Sequence, residues 1–216
     1  MRGMPYAVKE LFATLQGEGA HTGRASVFCR FAGCNLWSGR EEDRHKAACQ
    51  FCDTDFVGTN GEGGGRFATA EDLAQALVTC WEAASTESGR RYVVFTGGEP
   101  LLQIDAALVA AVHKAGFEIA IESNGTIEAP EGIDWVCISP KPSSTLVQRS
   151  GQELKLVFPQ ETLPPDLFEG WDFAHFWLQP MDGPERVENT QKAVAYCLKN
   201  PRWRLSLQTH KLIGIP

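Results

Sequence analysis

The sequence predicts an α/β fold, a partial barrel of mainly parallel strands with fewer helices than strands. Three observations carry this. Short apolar runs alternate with helical stretches along most of the chain, the pattern of parallel strands joined by crossovers. Several connections, such as those after Ser139 and Phe158, are too short or too proline-rich for a full helix. Polar motifs follow the ends of successive apolar runs, where such sheets keep their chemistry.

The elements follow in order. "YAVKELFAT" and "SVFCRFA" read as strands; in the second, Val27, Cys29 and Phe31 share one face and Arg30 lies opposite. "TAEDLAQALVTCWEAAS" reads as a helix with Thr69 as N-cap and Asp72 three residues on, close to a capping box. "RYVVFT" is a buried strand, and "QIDAALVAAVHKAG" a helix ended by Gly116. Four strands follow, "FEIAIES", "DWVCIS", "ELKLVF" and "FWLQP". "ENTQKAVAYCLKN" is a helix and "RWRLSLQ" a last strand. The stretch "NGEGGG" reads as a flexible surface loop.

Composition narrows the class. A chain of 216 residues is sized for one domain with a sizeable core. Hydrophobic residues make up 43% and charged residues 22%, ordinary for a globular protein. The formal net charge of −7 argues against a broad phosphate-binding surface, and so against nucleic acid. No apolar run is long enough to span a membrane and no signal peptide is evident, so a cytoplasmic location is expected. Met1 and Met4 are alternative starts.

Seven cysteines without a secretion signal suggest metal or redox chemistry before disulfides. Cys29, Cys80, Cys137 and Cys197 sit in apolar strand or helix stretches and read as packing. That leaves Cys34, Cys49 and Cys52, spaced C-x14-C-x2-C. Three thiolates are one short for zinc and cannot pair off. A structural zinc set that adds Cys29 has tolerable spacing, but it pulls Cys29 off its apolar face. A ferredoxin-type carrier needs a fourth cysteine nearby.

Five polar motifs follow strands: "TGGEP" (96–100), "SNGT" (123–126), "SPK" (139–141), "QPMDG" (179–183) and "QTHK" (208–211). Each alone could be a turn. At the same end of successive strands they would line one open mouth, with the cysteine loop after "SVFCRFA".

Together the cysteine loop and "TGGEP" resemble the radical S-adenosylmethionine (radical SAM) enzymes. In that family three thiolates hold a [4Fe-4S] cluster, and the amino and carboxylate groups of S-adenosylmethionine take the open iron. Most members space the first two cysteines by three residues. The fourteen found here match one subgroup, the 7-carboxy-7-deazaguanine synthases of queuosine and deazapurine biosynthesis. "LQGEG", "CRFAGCNLW", "CDTDF", "TGGEP", "IESNGT", "SPK", "QPMDG" and "QTHK…IP" resemble its segments in its order, over nearly the whole chain. Another radical SAM reaction, such as a glycyl-radical activase, fits the long spacing and "QTHK…IP" less well.

The resemblance implies an abbreviated partial (β/α)6 barrel of the radical SAM type. One domain would span 1–216, with a cluster-binding loop at 32–57 and a functional tail at 208–216. The implied lyase contracts 6-carboxy-5,6,7,8-tetrahydropterin to 7-carboxy-7-deazaguanine with loss of ammonia. S-adenosylmethionine is regenerated, a flavodoxin or ferredoxin-type protein is the reductant, and the enzyme is usually a homodimer.

Residue roles follow by the same resemblance. Cys34, Cys49 and Cys52 would hold the cluster, and Thr54 would bind Mg2+; by its residue type Thr54 is equally a loop-capping turn residue. Phe51, Cys52, Asp53, Gly97, Gly98, Glu99, Asn124, Ser139, Pro140, Lys141, Gln179, Pro180, Met181 and Asp182 would contact S-adenosylmethionine, with Glu99 accepting from its amine. Leu15, Gln16, Gly17, Glu18, Arg30, Thr96, His210 and Pro216 would bind the pterin. Arg30 on an inner barrel face needs an anionic partner, either the substrate carboxylate or a structural acid. Glu18 pairs with the aminopyrimidine or is a solvated loop acid. His210 is a site residue or a packed tail histidine. Pro216, through a terminal carboxylate, caps the pterin or belongs to a frayed end.

Overall fold

The structure, a computed structural model, describes residues 5–86 and 91–216; Met1 and Met4 lie outside them. One nine-stranded sheet has the order β3-β1-β2-β4-β5-β6-β7-β8-β9. Its strands are β1 (Tyr6–Leu15), β2 (Ala25–Phe31), β3 (Gly65–Phe67), β4 (Arg91–Gly97), β5 (Phe117–Ser123), β6 (Trp135–Ile138), β7 (Ser150–Phe158), β8 (Asp172–Pro180) and β9 (Trp203–Leu205). From β2 through β9 every pairing is parallel, while β1 runs antiparallel to β2 and β3 to β1. No pairing joins the edge strands β3 and β9 among the described residues, so the barrel stays open.

Helices are few, as expected. α1 (Ala70–Ala84) leads into β4, α2 (Ala106–Lys114) links β4 to β5, and α3 (Arg186–Lys199) links β8 to β9. No α-helix separates β5 from β6, β6 from β7, or β7 from β8. α1 opens with a complete capping box, Thr69 accepting from the Asp72 N–H and Asp72 from that of Thr69. α2 is capped by Asp105, which accepts from the Leu108 N–H at 2.9 Å.

Strand alternation divides the sheet into two faces. Val27, Cys29, Phe31, Val93, Phe95, Ile119, Ile121, Leu154, Leu156 and Leu178 form the outer face and pack with the three helices in one continuous core. Deep in the barrel, the inner face has a small apolar patch of Tyr92, Val94 and Ala120, with Phe28 and Trp135 packed against it. Nearer the mouth it is polar. Adjacent strands bring Glu10, Arg30 and Thr96 into register, and likewise Glu122, Cys137 and Glu153.

Two readings change. The glycine-rich stretch is not a free surface loop. Leu11 donates to the Glu62 carbonyl at 2.7 Å and Gly61 to that of Lys9 at 2.9 Å, and Gly65 opens β3. Glycine is what lets it lie so close: a Cβ on Gly63 would come 2.4 Å from the Leu11 carbonyl oxygen. The tail also holds a short helix, α4 (Thr209–Ile213), where only a strand and loop were expected.

Candidate active site

Because the strands are parallel, the loops after β2, β4, β5, β6, β8 and β9 meet at one mouth. They enclose a cavity of about 460 Å³, with residues of β1 and β7 also in its lining. All five strand-end motifs contribute to it.

At one side lie Cys34, Cys49 and Cys52, all free thiols facing the cavity. Trp37 and Ala47 of the long insertion form a small core with Phe56 beyond the third cysteine, against which Cys34 and Cys52 pack. Arg44 fastens it: the guanidinium lies 4.2 Å from the Trp37 ring centre and donates to the carbonyls of Gln50 and Cys52 at 2.9 and 3.0 Å. Gly98 seats the loop. A Cβ there would sit 2.2 Å from the Gly33 carbonyl oxygen and 2.7 Å from the Cys34 Cβ.

Burial pushes the Cys49 thiol up to about 11 and raises Cys34 also. Burial thus works against a bare thiolate at either position, and a metal that takes the thiolate offsets it. Among the described residues no three Cys, His, Asp or Glu side chains gather closely enough for a single ion. Three soft thiols facing one cavity suit a thiolate-bound metal centre such as an iron–sulfur cluster.

Behind Gly98 sits Glu99, fully buried. It accepts from the Leu101 N–H at 3.0 Å, the Ser123 hydroxyl at 2.9 Å and the Asn124 N–H at 2.8 Å. Burial raises its carboxyl despite these donors. Glu99 and Pro140 are the two predicted site residues outside the cavity lining; Glu99 instead ties the β4 loop to the β5 loop. Every other predicted site residue lines the cavity.

The inner strand faces supply the remaining wall and floor. Arg30 Nε meets Glu10 Oε1 at 2.7 Å. The contact uses Nε alone, leaving the terminal amino groups for a bidentate partner. Glu18 is buried rather than solvated. Lys155 Nζ reaches Glu18 Oε2 at 2.5 Å and Glu122 Oε2 at 2.6 Å, and Gln179 and Gln208 donate to Glu18 Oε1 at 3.1 and 3.0 Å. Burial works against the Glu18 charge, but Lys155 and Gln208 outweigh it and hold the carboxyl below its usual range.

The tail closes over this floor. Thr209 donates from N–H and hydroxyl to the Gly17 carbonyl at 2.9 and 2.8 Å. The Thr14 hydroxyl donates to the Pro216 carbonyl at 2.8 Å. Lys211 bridges Asp53 at 2.6 Å and Asp182 at 2.7 Å, joining tail, cysteine loop and β8 loop. His210 lines the cavity, and burial lowers its pKa.

Glu10, Glu122 and Lys155 also line the site and were not singled out from sequence, while Gln208 and Lys211 enter it as the ends of the "QTHK" motif. For Lys155 a signal existed: a lysine between Leu154 and Leu156 in a buried strand must point to an occupied polar interior.

Comparison with known proteins fits this geometry. The radical SAM superfamily model matches residues 46–139, taking in Cys49 and Cys52 but starting after Cys34, inside the lengthened spacing. A 7-carboxy-7-deazaguanine synthase of Caulobacter vibrioides is 64% identical over 213 residues, covering 99% of this chain and 100% of the relative. One from Bacteroides thetaiotaomicron is 40% identical, covering 96% and 97%. The crystal structure of QueE from Escherichia coli superposes with a TM-score of 0.70 at 25% identity, covering 94% of this chain and 93% of that one. With full-length identity at that level and the thiols, glycine seat and strand-end motifs in one cavity, the chain belongs to the 7-carboxy-7-deazaguanine synthases of the radical SAM superfamily.

Proposed function

We propose that this enzyme contracts the ring of 6-carboxy-5,6,7,8-tetrahydropterin to 7-carboxy-7-deazaguanine, releasing ammonia, as a step in queuosine or deazapurine biosynthesis. The observation that carries this is one cavity with three free thiols at one side and a hydrogen-bonding floor of Gln16, Glu18, Glu122, Gln179 and Gln208 at the other.

Cys34, Cys49 and Cys52 would hold a [4Fe-4S] cluster. With S-adenosylmethionine, the cluster supplies one-electron chemistry that acts on an unactivated carbon. Phe51, Asp53, Gly97, Gly98, Asn124, Ser139, Lys141 and the 179–182 segment orient S-adenosylmethionine, Pro140 joining Ser139 to Lys141 from outside the lining. Glu99 acts through the loops it ties, Ser123 and Asn124 being its partners.

Arg30 binds the substrate carboxylate with its terminal amino groups, while Glu10 keeps Nε fixed. Leu15, Gln16, Gly17, Glu18 and Thr96 meet the heterocycle's edges. His210 and Pro216 cover it from the tail, excluding water while the ring is open to side reactions. Thr54, in the lining next to Asp53 and Asp55, is read as a Mg2+ ligand; a neutral hydroxyl is weak there, so substrate oxygens complete the shell. A flavodoxin or ferredoxin-type reductant, a homodimer, a cytoplasmic location and one domain over 1–216, with loop 32–57 and tail 208–216, complete the reading. Among the described residues no helix is long and apolar enough to cross a membrane.

The test is anaerobic incubation of the reconstituted enzyme with S-adenosylmethionine, reductant and the carboxy-pterin, followed by mass analysis. The expected product is the carboxy-deazaguanine with one equivalent of ammonia. Unchanged pterin in a protein with a full cluster would overturn the proposal.

A further inference from the structure

Lys155 is the least expected residue of the cavity. It is 4% exposed and sits on the inner face of β7, opposite Trp177 of β8 in register. Burial alone would strip its proton, but Glu122 and Glu18 together hold the ammonium charged. Each carboxylate gives Lys155 one oxygen, Oε2, at 2.6 and 2.5 Å.

The other oxygens face different company. Glu18 Oε1 takes two glutamine amides, at 3.1 and 3.0 Å. Glu122 Oε1 takes the Gln16 amide at a long 3.4 Å, and the Cys137 thiol also hydrogen-bonds this carboxylate. A carboxylate oxygen accepts more than one strong bond, so Glu122 Oε1 is an acceptor with capacity to spare at the edge of the cavity. One ammonium against two carboxylates leaves one net negative charge in this triad. A buried surplus charge is costly unless something meets it.

We infer that Lys155 sets the specificity of the pocket floor. By holding Glu18 and Glu122 side by side as carboxylates, it keeps the floor an acceptor surface. That surface suits the N–H donor edge of a cyclic guanidine-type heterocycle and repels an oxo group at the same place. The inference rests on the proposed pterin reaction and adds the residue that selects the ring's amino edge.

Removing the ammonium reverses the logic. Two neighbouring carboxylates cannot both stay charged in a buried site, so one takes a proton. A protonated carboxyl donates, and the floor then tolerates an oxo edge as well as an amino edge.

The test measures binding of two ligands to the cluster-loaded enzyme under anaerobic conditions: the 6-carboxy-tetrahydropterin and its counterpart with a 2-oxo in place of the 2-amino group. Wild type should prefer the amino ligand about ten- to hundredfold, the worth of a charge-assisted bond. In Lys155→Met that ratio should fall below about threefold, because the oxo ligand gains as the amino ligand loses; a purely structural role would weaken both alike. Lys155→Arg keeps the charge and should keep the ratio, and it decides the matter if the methionine variant does not fold. A preserved ratio in Lys155→Met, a lost ratio in Lys155→Arg, or equal binding of both ligands by wild type overturns the assignment. If wild type binds neither ligand, the pterin reaction itself falls, and this inference with it.

Discussion

Gly98→Ala puts the whole seating of the cysteine loop to the test. Gly98 lies outside the left-handed region, so alanine there meets no positive-φ strain. Its cost is contact. The new methyl would lie 2.2 Å from the Gly33 carbonyl oxygen, and 2.7 Å from both the Gly33 carbonyl carbon and the Cys34 Cβ. Two of the three are backbone atoms and none is the end of a flexible side chain, so a main-chain segment must move. The Gly33 carbonyl also accepts from the Glu99 N–H at 3.0 Å, and that bond stretches when the segments part. Overpacking costs about 1–3 kcal/mol, and a weakened buried hydrogen bond about 0.5–1.5 kcal/mol. The sum, about 1.5–4.5 kcal/mol, lowers Tm by roughly 3–18 °C in a chain of this size. Iron content should drop too, since Cys34 rides on the displaced segment. Calorimetry and iron per chain after anaerobic reconstitution measure both. Gly170→Ala is the control: nothing lies within 4 Å of a Cβ there, so the change should stay within about 0.5 kcal/mol. Wild-type Tm and full iron in Gly98→Ala would refute the seating argument.

Three further outcomes are expected. Cys49→Ala should lose most of its iron, whereas Cys29→Ala, fully buried on the outer face, should keep its iron and lose about 1–2 kcal/mol by denaturant melt; full iron in Cys49→Ala would remove the cluster assignment. Glu118 accepts from Arg24 Nη1 at 2.9 Å, and that bond holds its carboxyl below the usual range. Its folded pKa being depressed, the pair's stability is present above the ordinary glutamate range and fades as pH falls through the folded value. Glu118→Gln should therefore cost stability at pH 7, by less than about 1 kcal/mol because the pair is partly exposed, and that cost should shrink as pH falls below the ordinary glutamate range; a cost that grows in acid would contradict the sign. Lys211→Met breaks both bridges from the tail to Asp53 and Asp182. Pterin affinity should fall about two- to tenfold with Tm nearly unchanged, and unaltered affinity would mean the bridges do not hold the tail.

Much of this was legible because local rules and tertiary structure agree. Thr69 and Asp72 announce a helix start by hydrogen-bond chemistry that needs no partner from elsewhere, and the capping box is complete. The alternation around Cys29 separates an apolar face from Arg30, and the sheet keeps that division. "NGEGGG" misled because glycine has two uses. Sequence shows its freedom, but only the neighbouring β1 shows the close approach that makes glycine necessary at Gly63. The tail helix escaped for a related reason. Five residues are too few to form a helix by propensity, and α4 exists because Thr209 is tied to Gly17, 192 positions away.

The inner face was harder to read because pairs, not residues, give it meaning. A lone Glu122 between Ile121 and Ser123 offers no reason to choose a partner. Glu122 reaches Lys155 from β5 and Glu18 from the loop after β1, contacts separated by 33 and 137 positions. What sequence does reveal is the cost. A charge placed by alternation on a face that should be closed to water must be repaid by a partner or a ligand. In this chain α1, α2 and α3 cover the outer face, so the fold is held together there. The inner face is thereby released from packing and can carry Glu10, Arg30, Thr96, Glu122 and Lys155 without loss of the core. An open barrel with few helices is thus the condition for a polar, ligand-sized interior. A charged residue flanked by apolar ones in its strands, such as Lys155, is the mark of that interior even where its partner cannot be named.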